Sequence, residues 1–581
     1  MTTESCYWLF CFVPLSTSPT NKIFGFSEFL AAVALLVVIY TIADVRYKFR
    51  IAVTPGALYA ATFALIAIIG LQTLLTEIWI VEGWWVPKTR GLTYSTWQGI
   101  FGLLFIGTFL TWMYYAFIRP PVFGRRNARR FARELYRCIL RGNEDELKVI
   151  ANELARSAES LIKHSRRVPS RFADREASRK QVKKKAGVED YAHDILLLIA
   201  NRKLCRQIVA ASPVTAQAFF EEMTSANKFD VPIGQFARNI SSEAVAQKGS
   251  FLYDESEGYS SGLLGYLKPV SKAVYGNYAL VEALASNVAS PLDIDFEEQW
   301  AWDAKQWEAY CRATLFTLKD YLEKGYGSQN SYALNRAMDD IESAFRDLYK
   351  LNDAPDAYGS DIYDRLRVAA EFVKDAIDLI DKQPNPPIPL RRIREGTYPK
   401  NIYDYLALLI FNMCFAASTI KSPPETCWTI HHNIVWSKTF DSIGSDGKAW
   451  KIVRFKVRRL LYDEIAKLTK MPNYKGSRIL GYCLNVLGME TGLSKQNYGR
   501  ESYALAKAVH SWTRKHYLSM RQENPDVAES VLIGRISFDE AGSRLVTTYF
   551  KGLNREAPKS YLDLEQPGPL KQSDTSGTTN K

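Results

Sequence analysis

Three apolar runs between Phe26 and Ile118 constrain this chain more than any other feature. They read "FLAAVALLVVIYTIA" (29–43), "GALYAATFALIAIIGLQTLLTEIWIV" (56–81) and "TWQGIFGLLFIGTFLTWMYYAFI" (96–118). The third contains no charge, and the second reaches Glu77 before meeting one. A helix crossing the hydrocarbon core of a bilayer needs about 20 apolar residues in succession. The pattern therefore predicts three membrane-spanning helices, at about 26–44, 54–76 and 96–118, in a membrane domain of residues 24–118. The competing reading is a buried hairpin of a soluble fold.

Charge predicts the direction of insertion. Arg46, Lys48 and Arg50 lie between the first two runs, and Arg119, Arg125, Arg126, Arg129 and Arg130 follow the third. The other side has Lys22, Lys88 and Arg90, with Glu77 and Glu82 close by. Lys and Arg are retained on the cytoplasmic side, so the N-terminus is expected outside and everything after residue 118 inside. Trp79, Trp84, Trp85 and Trp97 crowd the outer loop, where indoles favour the headgroup layer. A bacterial inner membrane is the expected location. The N-terminal "MTTESCYWLFCFVPLS" is too short to span and lacks the basic start of a signal peptide, so residues 1–23 are expected as an interfacial segment.

The stretch "AFIRPPVFGRRNARRFARELYR" (116–137) holds seven arginines directly behind the last run. Residues 119–185 carry 20 Lys plus Arg against 8 Asp plus Glu, a surplus of 12, and the whole chain is also +12 (74 against 62). Basicity is thus confined to a juxtamembrane region, 119–187, and the remaining 514 residues balance. That distribution fits anionic lipid headgroups, with Lys183, Lys184 and Lys185 joining the five arginines at the membrane surface. Nucleic acid would use similar charge, but few aromatics are interleaved here, which disfavours it. One amphipathic helix, "NEDELKVIANELARSAESLIKH", separates the two basic clusters and shows Leu147, Ile150, Leu154, Leu161 and Ile162 on one face.

Beyond residue 188 the periodicity is helical, so the fold class is mostly α. The expected divisions are a helical domain at 188–383, a proline-rich linker at 384–400, a C-terminal helical domain at 401–555 and a disordered tail at 556–581. "YDYLALLIFNMCFAASTI" (403–420) is too short to span and reads as a buried core helix. Ser422 followed by two prolines and Glu425 resembles a capped helix start. "GRISFDEAGSRLVTTYF" predicts a small β-hairpin.

Chemistry is sparse. No phosphate-binding glycine loop, dinucleotide fingerprint or nucleophile elbow occurs, so no cofactor is expected, nucleotide hydrolysis and hydrolase chemistry have no support, and a non-enzymatic role is favoured over a membrane-tethered enzyme of unfamiliar chemistry. The eight cysteines form no C-x-x-C pair, which suits buried thiols in a reducing compartment. Cys427 and His431, four apart with His432 adjacent, are the best metal candidates, but no second pair completes a zinc site, and metal is not expected. The Gly- and Tyr-rich stretch 248–277 is the expected ligand-binding loop, through Tyr253, Tyr259, Tyr266 and Lys268. On the second span Gln72, Thr73, Thr76 and Glu77 form a polar stripe suited to helix packing or to a pore. The combination predicts a membrane-anchored cytoplasmic sensor or scaffold that binds a protein or small ligand, with a homo-oligomer or protein partner. The alternative is an oligomeric, membrane-perturbing effector of a bacterial defence or toxin system.

Overall fold

The computed structural model describes the backbone of all residues except 1–4, 8–9, 15–22, 43, 56–57, 88–93, 168–185, 256–267, 327–328, 355, 384–400, 441–446, 490–494, 552–555 and 567–581. Side chains are described for these except 5–7, 10–14, 42, 58–59, 86–87, 94, 296 and 495–501. The chain is mostly helical and divides into two compact units, residues 1–240 and 241–581.

The first unit opens with strands β1 (Ser5–Tyr7) and β2 (Phe10–Pro14), within the stretch expected at the interface. They pair antiparallel, Cys6 opposite Cys11, and β2 pairs in turn with β3 (Trp85–Pro87), Val13 opposite Val86. The apolar part of this unit comprises α1 (Phe26–Ile42), α2 (Val45–Ala52), α3 (Leu58–Val81) and α4 (Tyr94–Met113). Two stretches, Ala60–Val81 and Ser95–Ile118, are long and apolar enough to cross a membrane, with mean hydropathy 2.0 and 1.6. The first run departs from the expected straight span. Its helix is only 17 residues long and turns through 109° into α2, so the two together make at most a broken third span. After the turn the Asp44 carboxylate accepts Arg46 N–H at 3.4 Å and caps a new helix carrying Arg46, Lys48 and Arg50.

At one end the apolar helices interlock. Phe29, Ile69 and Phe101 are buried together, with Phe24, Phe26 and Phe105 packed on them. A Cβ on Gly70 would stand 2.6 Å from the Phe29 ring, so glycine is what lets α1 approach α3 there. Side chains close the same end. Glu77 Oε1 accepts Phe26 N–H at 3.0 Å and Gln98 Oε1 accepts Ile23 N–H at 3.0 Å, satisfying donors at the start of α1.

Six helices follow: α5 (Ala128–Arg141), α6 (Glu144–Ala155), α7 (Ala158–His164), α8 (Val188–Leu198), α9 (Arg202–Ala211) and α10 (Pro213–Ser225). The predicted amphipathic helix is broken at Arg156–Ser157 into α6 and α7, and buries Leu147, Ile150, Leu154, Leu161 and Ile162 as its periodicity implies. The division between units falls inside α11 (Gly234–Ala246).

The second unit comprises α12 (Phe251–Asp254), α13 (Pro269–Tyr275), α14 (Tyr278–Asn287), α15 (Phe296–Gln299), α16 (Ala304–Glu323), α17 (Tyr332–Glu342), α18 (Asp361–Asp381), α19 (Ile402–Ala417), α20 (Pro424–Trp428), α21 (Ser437–Thr439), α22 (Lys448–Lys467), α23 (Tyr474–Leu487), α24 (Lys495–Glu523) and α25 (Pro525–Glu529). Its central helix is α19, flanked by α17, α22 and α23, which is why "YDYLALLIFNMCFAASTI" is so apolar: Leu406, Ile410, Met413 and Cys414 are fully enclosed. The expected domain boundary at 384–400 does not divide the fold, although the linker itself lies outside the described residues. Helices on either side of it pack together, with Asn412 Nδ2 donating to Glu342 Oε2 at 2.7 Å and Trp450 Nε1 to Asp378 Oδ1 at 2.8 Å. Proline content marks where a chain cannot be helical, not whether the helices it joins share a core.

Two further corrections fall at the C-terminal end. The expected hairpin is a three-stranded antiparallel sheet, β4 (Ile536–Asp539), β5 (Arg544–Thr548) and β6 (Lys559–Asp563). The third strand comes from the stretch read as a disordered tail, where Ser560 and Leu562 alternate inward with exposed Lys559, Tyr561 and Asp563. That period-2 signal is only five residues long and is flanked by Pro and Gly. Ser422 is also not a helix cap. Its hydroxyl donates to Asp353 Oδ1 at 2.6 Å, and α20 begins at Pro424 with Pro423 in the cap position.

A packing prediction follows from Gly481, on the buried side of α23. A Cβ there would lie 2.4 Å from the Val531 carbonyl oxygen, which is backbone and cannot rotate aside. Gly481→Ala is expected to destabilise the chain by about 1–3 kcal/mol, read as a fall in the thermal unfolding midpoint. An unchanged midpoint would mean that α23 and the Val531 turn are not in close register.

Candidate functional site

The best-built polar site lies where the apolar helices meet the first helices after them. The last turn of α4 widens into a π-helix, Tyr114–Ile118, followed by Pro120 and Pro121. The Ala116 carbonyl would ordinarily accept from the residue four or five positions on, and both of those are prolines without an N–H. Arg50 of α2 satisfies it instead, its Nη1 donating to Ala116 O at 2.8 Å. The rest of the guanidinium grips Glu153 of α6 in a two-pronged pair, Nε to Oε2 at 2.9 Å and Nη2 to Oε1 at 2.7 Å. Arg50 is 5% and Glu153 7% exposed, and Arg46 Nε reaches Glu153 Oε1 at 3.6 Å from the rim. Asn127 adds a second tie, its Nδ2 donating to Val53 O at 2.8 Å and Val122 O at 2.9 Å. Phe49 and Phe123 both pack edge-on against Phe131 at 5.6 Å and complete the seal. Three segments distant in sequence are thereby locked through one guanidinium.

Sequence reasoning counted Arg50 only as a basic loop residue and missed Glu153 altogether. Two signals were available. Pro120-Pro121 leaves carbonyls without donors, and Glu153 stands on the apolar stripe of its helix between Ile150 and Leu154, where a carboxylate needs a partner.

The residues expected at the membrane surface fall on the outside of this junction. Arg119, Arg125, Arg126, Arg129 and Arg130 are all exposed, while Lys183, Lys184 and Lys185 lie outside the described residues. On α5 the exposed positions 129, 133, 136, 137, 140 and 141 share one face, so arginines there alternate with Tyr136 and Leu140, and Phe131, Leu135 and Ile139 are buried opposite. Basic and apolar groups on one open face suit a helix lying at a headgroup boundary.

Thr73, Thr76 and Glu77 of the polar stripe of α3 are used within the chain. Thr73 Oγ1 donates back to Gly70 O at 2.9 Å and Thr76 Oγ1 to Gln72 O at 2.6 Å, bonds that satisfy the hydroxyls inside their own helix. Glu77 holds the start of α1, as described above.

Of the expected ligand-binding loop, Tyr259 and Tyr266 lie outside the described residues. Tyr253 donates its hydroxyl to Val245 O at 2.6 Å, and burial pushes its phenol up to about 12. Lys268 precedes α13 with its ammonium 5.3 Å from the centre of the Phe316 ring. The Glu255 carboxylate accepts from Val270 N and Ser271 N at 3.1 and 2.9 Å, pinning the two ends of the loop together.

Cys427, His431 and His432 are brought together, but in the core. His431 lies in a π-helical stretch, Thr429–Trp436, and is fully enclosed. Its Nε2 is 2.8 Å from Ala417 O, so Nε2 carries the proton, and its Nδ1 accepts from Asn485 Nδ2 at 3.0 Å. Cys427 Sγ stands 3.8 Å from both ring nitrogens, and burial pushes its thiol up to about 12. A thiol so disfavoured as thiolate is neither a ready nucleophile nor a ready ligand. No group of three or more His, Cys, Asp or Glu able to hold a metal occurs among the described residues. His432 stacks on Trp428 at 3.6 Å, and its buried Nε2 has no hydrogen-bond partner.

These two histidines predict acid sensitivity. Burial pulls His431 down to about 3 and His432 down to about 4. The unfolded chain takes up protons near pH 6.5 that the folded chain refuses. Their contribution is therefore fully present above about 6.5 and falls as the pH drops towards those depressed values, by up to about 1.4 kcal/mol per unit for each histidine. His432→Phe retains the stack on Trp428 and is expected to reduce the slope of the unfolding midpoint between pH 7 and pH 5. An unaltered slope would show that His432 titrates normally in the folded chain.

Comparisons of the chain with protein-family models, with characterised proteins and with solved structures find no match. What the sites can do is read from their own geometry.

Proposed function

We propose that the chain is a membrane-anchored sensor or scaffold: α1, α3 and α4 anchor it, with the bent α1–α2 pair as the third membrane element. In this reading the N-terminus is outside a bacterial inner membrane, and the helices after residue 118 are cytoplasmic and bind a protein or small ligand. Anionic headgroups meet the exposed arginines of residues 119–130 and α5, and further copies or another protein engage the helical region. The observation that carries the reading is the Arg50–Glu153–Ala116 lock, which joins the base of the membrane helices to α6 through a desolvated ion pair. A flexible tether would suffice for simple anchoring. A rigid junction is what passes displacement from one side to the other.

Full-length chain reconstituted in dye-loaded vesicles of phosphatidylcholine and phosphatidylglycerol provides the test. The sensor or scaffold reading expects the dye to stay inside, and digestion from the basic side to remove the region after residue 118 while sparing the loop around Trp84. Dye release would transfer the assignment to a membrane-perturbing effector. Equal cleavage of both regions from one side would overturn the topology.

A further inference from the structure

The membrane helices are packed at one end and open at the other. Near Glu77 and Gln98 the phenylalanine cluster fills the space between them. Towards α2 they enclose a cavity of about 140 Å³, whose wall includes Val37 and Tyr40 of α1, Ile51 of α2, Phe63 of α3, and Thr108 and Trp112 of α4. The wall is almost entirely apolar. Thr108 Oγ1 already donates to Leu104 O at 2.7 Å. Water gains nothing there: an apolar cavity of about 150 Å³ stays dry and takes up benzene. Val37 and Phe63, 52% and 60% exposed, border it, so the space communicates with the side of the bundle. Beside a bilayer, the group at hand to fill it is an acyl chain.

The rim supplies a charge of the right sign. Lys48 of α2 holds its ammonium 5.9 Å from the centre of the Tyr40 ring, and Tyr40 is part of the cavity wall. Arg50 and Arg46 on the same helix are directed to Glu153, whereas no carboxylate among the described residues pairs with Lys48. A lysine ammonium binds phosphate as a point charge.

We propose that the chain binds one anionic phospholipid, its acyl chain in this cavity and its phosphate on Lys48. The proposal rests on the reading that α1, α3 and α4 stand in a bilayer. Ile51 lines the cavity one residue after Arg50, so an occupying lipid bears directly on the helix that grips Glu153.

The test uses full-length chain in mild detergent, titrated with phosphatidylglycerol or phosphatidylcholine of identical acyl chains and read by native mass spectrometry. Wild type is expected to retain a first lipid equivalent, with phosphatidylglycerol favoured about five-fold, the ratio one lysine near an anionic headgroup supplies. Lys48→Ala should abolish the preference while still retaining phosphatidylcholine. Thr108→Trp and Val37→Phe, which fill the cavity from two helices, should each lose the first equivalent of both lipids, with near-ultraviolet circular dichroism confirming that they fold. Inorganic phosphate alone should not bind, and its retention in place of lipid would overturn the acyl-chain part. An unchanged preference in Lys48→Ala, or a first equivalent retained by both filled variants, overturns the site. Flotation with vesicles separates the two claims. A chain that floats yet retains no lipid rejects only the lipid site, and one that does not float rejects the membrane reading as well.

Discussion

Replacing Glu153 by alanine will destabilise the folded chain by about 3–5 kcal/mol, because it leaves the buried Arg50 guanidinium with the Ala116 carbonyl and the Tyr47 ring but no anion. The size of the effect comes from desolvation. Removing one partner of a buried pair leaves the other charge without the water it gave up on folding. Removing both is a different experiment. Arg50→Met with Glu153→Leu is expected to recover much of the loss, leaving mainly the Ala116 carbonyl unsatisfied, at about 1–3 kcal/mol. The control is Asp145–Lys148 on the same helix, an exposed pair at 3.1 Å whose removal should change stability by no more than about 0.5 kcal/mol. Unfolding midpoints of these three variants decide the matter, and equal losses for the two pairs would mean that water reaches Glu153.

The second large effect belongs to the other unit. Lys456 of α22 is 1% exposed and bonds Asp404 of α19 at 2.7 Å, placing an ion pair against the most apolar helix of the core. Asp404→Ala leaves an ammonium there and is expected to destabilise by about 3–5 kcal/mol. Unfolding midpoints of wild type and Asp404→Ala at one pH check it, and an unchanged midpoint would mean that the pair is not held in the core.

The helical class and the apolar runs were legible because each rests on local repetition. The 3.6-residue period of residues 144–162 and the apolar runs at 56–81 and 96–118 require no knowledge of what they face. The buried character of residues 402–417 was legible for the same reason, from length and hydropathy alone. What failed depends on distant residues. The turn at Asp44 is marked by one cap inside an apolar context, and β6 is stable only because β5 lies beside it, with Leu545 opposite Leu562. The candidate site was half legible. Exposed arginines announce themselves by density, but Arg50 looks like its neighbours until Glu153, 103 positions away, is brought beside it. Cys427 and His431 stand side by side, yet spacing could not tell a ligand pair from a core pair, a distinction that only burial makes.

The central claim is that α2 locks the apolar helices to α6, and amide hydrogen exchange of full-length chain in lipid nanodiscs tests it most directly. Wild type and Glu153→Gln would be compared over residues 44–55, 114–124 and 144–155. The account predicts that losing the carboxylate charge on α6 speeds exchange in all three segments together, because Arg50 releases the Ala116 turn as it loses its grip. A change confined to 144–155, with 44–55 and 114–124 as protected as in wild type, would contradict it.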